Sequence, residues 1–97
     1  MKHQSLPSLE DALVTSIGKQ AEQSLASTTL YSGTNTAHRM VADVASYASL
    51  ETLVFLLEHE REIQNSLPYP TNEHWIYAQA YIRVLDGYLA QIKRVAR

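Results

Sequence analysis

The sequence predicts an all-α fold: a small bundle of three principal helices at about 8–25, 36–66 and 71–95. Three observations carry this. Apolar residues recur at three- and four-residue spacing through most of the chain, the period of a helix with a buried face. Serine or threonine stands just ahead of the apolar runs, where a hydroxyl can satisfy the free amides of a first turn. Two prolines, Pro68 and Pro70, divide the last two runs sharply.

The first helix begins at Ser8, with Asp11 three residues later in the manner of a capping box. Leu9, Leu13, Ile17 and Ala21 then recur every fourth residue, widened by Ala12 and Leu25, so the helix runs to about Leu25 despite Gly18. Residues 1–7 are read as a flexible N-terminus and 8–97 as one helical domain. From Ala26 to Asn35 the residues compete for backbone hydrogen bonds and include Gly33, which makes this a loop, with a short extended stretch at 28–32 as the alternative.

Asn35 or Thr36 caps the second helix, and the run Leu53-Val54-Phe55-Leu56-Leu57 is apolar almost all round, so it is expected at the centre of the core. At 36–66 this helix would be about 46 Å long, which is excessive for so small a chain. A break near 46–49 is therefore expected, with Ser46 and Ser49 as candidates, because a serine hydroxyl can cap a new turn at Leu50 or bend the helix by bonding back to a carbonyl. Leu67-Pro68-Tyr69-Pro70 forms a stiff elbow, and Thr71 or Asn72 caps the last helix. Glu73 in its first turn and Lys93, Arg94 and Arg97 at its end match the helix dipole. The elbow places the second and third helices antiparallel.

Composition narrows the function by exclusion. A net charge of −2 selects neither nucleic acid nor an acidic mimic of it, and the absence of cysteine removes disulfides, thiolate zinc sites and cysteine nucleophiles. The first residues lack the apolar run of a secretory signal, and no stretch approaches the length of a membrane span, so a soluble cytoplasmic protein is expected. No phosphate-binding glycine loop, nucleophile elbow or metalloprotease helix occurs. Glu58-His59-Glu60-Arg61-Glu62 has metal-ligand types, with His59 and Glu62 on one face, yet it lacks a second copy and reads as a solvated charged face. No metal and no cofactor are expected.

The strongest site candidate lies on the last helix. Trp75, Ala78, Ile82, Leu85, Leu89 and Ile92 form one apolar stripe, and Tyr77, Ala80, Tyr81, Val84, Tyr88 and Val95 form a second, centred roughly 125° away. Such a helix is either central to its own bundle or also meets a partner. Tyrosine suits surfaces that are buried in one state and wet in another. A mid-helix glycine at Gly87 suggests that another backbone approaches there. Tyr77, Ala80, Tyr81, Val84, Gly87 and Tyr88 are therefore the expected partner-binding residues, in a small non-enzymatic regulator or adaptor that contacts a protein partner or itself as a homodimer. The alternative is a small enzyme or ligand-binding bundle with a pocket between helices, using His59, His74 or a tyrosine hydroxyl. A second alternative, less favoured by the near-neutral charge, is nucleic-acid binding through Arg39, Lys93, Arg94 and Arg97.

Overall fold

A computed structural model describes residues 8–27, 32–68 and 71–95. The expected flexible N-terminus at 1–7, the stretch 28–31, two residues of the elbow (Tyr69 and Pro70) and Arg97 lie outside the described residues. Every described element is helical: α1 (Leu9–Ser27), α2 (Gly33–Ala45), α3 (Leu50–Ser66) and α4 (Asn72–Val95). Four helices thus stand where three were expected, because the break near 46–49 is a full interruption.

Both serines contribute to that interruption. The Ser46 hydroxyl donates to the Asp43 carbonyl at 2.6 Å, and the Ser46 and Tyr47 amides reach back only three residues, tightening the last turn of α2. Ser49 is extended and accepts the Thr52 amide at 3.2 Å, which caps α3. At the other ends, Ser8 accepts the Asp11 amide at 3.0 Å and Thr71 accepts the His74 amide at 3.1 Å, both as the sequence predicts. The start of α2 differs from expectation. Ser32 is the cap, accepting the Asn35 amide at 2.9 Å, so Asn35 sits buried in the first turn instead of ahead of it.

Residue contacts fix the helix directions. Gly18 meets Ala45 while Ser24 and His38 both reach the Tyr88 hydroxyl, so α1 and α2 run antiparallel. Gly33 lies on the α4 backbone at Tyr77 and Tyr81 while His38 bonds Tyr88, so α2 and α4 run parallel. Arg61 pairs with Asp86, and Leu50 lines a groove with Val95, so α3 returns antiparallel to α4. The core draws on all four helices, with Ile17, Val41, Leu53, Leu57 and Leu85 sealed from solvent. In α1 the buried stripe is Val14, Ile17 and Ala21, whereas Leu9 is 89% exposed. Within the run 53–57, Leu53 and Leu57 are buried and Phe55 turns outward. Among the described residues, no helix is long and apolar enough to cross a membrane.

Candidate functional site

The six residues singled out on the last helix separate into three environments. Tyr81 and Tyr88 are each 4% exposed, Ala80 and Val84 are half-buried, and Tyr77 and Gly87 face solvent. The middle of the two apolar stripes of α4 is covered from within the chain, where α3 and α2 pack against it, while Trp75, Tyr77 and Val95 at its ends stay exposed. A partner surface centred on Tyr81 and Tyr88 is consequently closed in this protomer, and Tyr77 is the one tyrosine of the stripe left open. Within the chain, no atom lies within 4 Å of where a Gly87 side chain would begin. The close backbone approach occurs at Gly33, where a Cβ would overlap the Tyr77 carbonyl oxygen and stand 3.1 Å from the Tyr81 amide nitrogen.

Each buried tyrosine hydroxyl has a partner, as a desolvated polar group requires. The Tyr88 hydroxyl lies 2.8 Å from His38 Nδ1, the two rings meet edge to face, and Ser24 bonds the same hydroxyl. Burial pushes the Tyr88 hydroxyl up, with Ser24 opposing, and pushes the His38 imidazole down. Tyr81 is raised by burial first and then by the Glu60 carboxylate, to which it is hydrogen-bonded; Gln64 in turn donates to Glu60 at 3.3 Å. These two clusters pin α4, one to α1 and α2 and the other to α3. His38 and Glu60 escaped sequence reasoning because a polar residue on a helix carries no signal of what it will meet, and Glu60, in the run read as a solvated face, is half-buried against Tyr81.

The remaining apolar surface is concentrated at the start of α4. Residues 71–77 are exposed without interruption, although they include Trp75 at 51%, Ile76 at 60% and Tyr77 at 37%. Leu67, just before the elbow, is exposed as well. A sequence signal for this existed. Three consecutive large apolar residues span about 200° of a helix, more than one core can cover.

Other candidates resolve into solvated surface. His59 stacks on the exposed Phe55 ring, and His74 bonds the Thr71 hydroxyl. Among the described residues, no three His, Asp or Glu side chains are grouped as metal ligands. Lys93 and Arg94 are exposed in the last turn of α4, where they face the negative end of the helix. A cleft of about 260 Å3 opens at the junction of α1, α2 and α4, between Ser24, His38, Arg83 and Gly87. Comparison with protein-family models, with curated proteins and with solved structures finds no match.

Proposed function

We propose that this chain is a small non-enzymatic regulator or adaptor that works through protein–protein contacts, and that its contact surface is the exposed first two turns of α4 rather than the middle of the tyrosine stripe. The observation that carries the reading is the unbroken exposure of 71–77 with Trp75, Ile76 and Tyr77 in it. Aromatic residues exposed together on one helix end are costly to leave in water and are the residue types on which binding energy concentrates.

The occupant we assign is a second copy of the chain, pairing about a two-fold axis through the same turns. Half-exposed aromatic and large aliphatic side chains offer roughly 100 Å2 each, so Leu67, Trp75, Ile76 and Tyr77 provide about 400 Å2 per protomer and about 800 Å2 for the pair. That lies below the range of stable specific interfaces, where association is weak and reversible.

Sedimentation of the full chain from about 1 µM to about 1 mM tests this. The average mass is expected to rise toward a dimer with concentration, to stay monomeric in Ile76→Glu, and to rise as in the wild type in Phe55→Glu, whose side chain is exposed elsewhere. A monomeric wild type throughout, or a dimer indifferent to Ile76→Glu, overturns the reading.

A further inference from the structure

The cleft between α1, α2 and α4 contains three groups that the packing of the bundle leaves unexplained. The first is Gly87. Glycine is disfavoured within a helix relative to alanine, and here no neighbour requires it, because the space where a Cβ would stand is empty for 4 Å. Gly87 lines the cleft, so any larger residue would fill part of it.

The second is Arg83. Among the described residues its guanidinium forms no ion pair, unlike that of Arg61, which holds Asp86. No carboxylate lines the cleft to compensate it. The third is His38. The Tyr88 hydroxyl lies 2.8 Å from His38 Nδ1 and also bonds Ser24. Nδ1 is thus taken up by Tyr88, and Nε2 makes no hydrogen bond among the described residues. Gln91 donating to Gln20 at 2.9 Å closes one side of the same opening.

We propose that this cleft binds a small organic carboxylate, its oxygens held by the Arg83 guanidinium and the His38 Nε2–H and its short apolar part lying against Val84 in the space that Gly87 leaves open. A guanidinium fork matches a carboxylate in shape and supplies two charge-assisted hydrogen bonds. One cation beside a neutral imidazole balances a monoanion, whereas a phosphate dianion would remain half uncompensated. The volume of about 260 Å3 lies below that of drug-sized sites and sets the ligand at a few heavy atoms. Tyr88 acts here as a positioning residue, since its hydroxyl, donating to Nδ1, would keep the imidazole proton on Nε2, and it reaches the ligand only through His38.

The test is an NMR titration of the full chain with butyrate, and separately with inorganic phosphate, at matched ionic strength. Butyrate is expected to give saturable shifts at the Gly87 amide and the Arg83 side chain, with phosphate at least about tenfold weaker. Arg83→Gln is expected to weaken butyrate at least about tenfold, the loss of a charge-assisted pair. Gly87→Ala is expected to move two readouts in opposite directions, raising the melting temperature while weakening butyrate several-fold. Non-saturable shifts, shifts unchanged by Arg83→Gln, or phosphate binding as tightly as butyrate would each overturn the assignment.

Discussion

Replacing glycine with alanine at two positions of this chain is expected to change stability in opposite directions. At Gly33 the added methyl would run into the α4 backbone, overlapping the Tyr77 carbonyl oxygen and lying 2.9 Å from its carbon. The obstacle is main chain in the middle of a packed contact, so relief requires the start of α2 to withdraw from α4. Overpacking of this kind costs about 1–3 kcal/mol, and because no flexible side-chain end can yield, the upper half of that range applies. The helix-propensity gain of alanine, at most about 1 kcal/mol, offsets only part of it. A net loss of about 2 kcal/mol corresponds to a fall of roughly 8–16 °C in melting temperature for a domain of this size. At Gly87 the same methyl enters open space, so the propensity gain stands alone and the melting temperature rises by roughly 4–8 °C. Gly18 falls between them, its added methyl meeting the Ala45 Cβ at 3.1 Å, and a near-neutral effect is expected. Thermal and urea denaturation followed by circular dichroism, run on the three variants in parallel, measure all of this. A Gly33→Ala protein that melts at or above the wild type would refute the reasoning.

Tyr81→Glu places a carboxylate in a buried position already beside Glu60, and a loss of at least about 3 kcal/mol, or an unfolded chain, is expected in urea titration, whereas the exposed Ile76→Glu stays within about 0.5 kcal/mol of wild type. Burial lowers the folded-state pKa of His38 below the unfolded value of about 6.5, so the unfolded chain binds the proton more readily; its contribution to stability is complete above about pH 6.5 and is lost as the pH falls through the folded value. Stability profiles between about pH 7.5 and about pH 5.5 should therefore slope downward toward acid, and His38→Gln should flatten them. On the alkaline side Tyr81 and Tyr88 are both raised by burial, so their contribution is complete below about pH 10 and is lost as the pH rises through their folded values. Ser49→Ala removes the cap of α3 and is expected to cost about 1 kcal/mol by the same denaturation assay.

Local chemistry made much of the fold legible. Ser8 caps the helix that the sequence assigns to it, and Ser49 and Thr71 are each one of the two candidates offered for theirs, because a hydroxyl bonding an amide three residues on needs nothing from the rest of the chain. The interruption at 46–49 was legible for the same reason. Ser32-Gly33-Thr34-Asn35-Thr36 was not, since nearly all of these residues can cap a helix and tertiary packing decides among them. Only Gly33 lets α2 lie on the α4 backbone, and that requirement places the cap at Ser32. Within the chain the close glycine contact falls at a helix start, Gly33, which no periodicity marks, and Gly87 meets no atom of its own chain within 4 Å. The tyrosine stripe was legible as apolar surface, but periodicity cannot say whether a chain's own helix or a second molecule covers it. α2, only 13 residues long, covers its central part.

Where α4 remains uncovered follows from length rather than from the width of its stripes. At about 1.5 Å per residue, the 24 residues of α4 span about 36 Å, against about 26 Å for α3 and about 20 Å for α2. α3 runs back along α4 with Leu50 near Val95 and Arg61 near Asp86, so its seven-residue deficit falls at the elbow end. α2 begins at Gly33, level with Tyr77, and contributes nothing beyond it. The first five residues of α4, Asn72 to Ile76, thus overhang both neighbours. An overhang of this kind in a chain selected only for its own stability would carry polar residues throughout, as Asn72, Glu73 and His74 do. Trp75 and Ile76 follow them, and they neither support the core nor favour solubility. Their presence at the point where the bundle runs out of covering helix is the strongest physical reason to place the contact surface there.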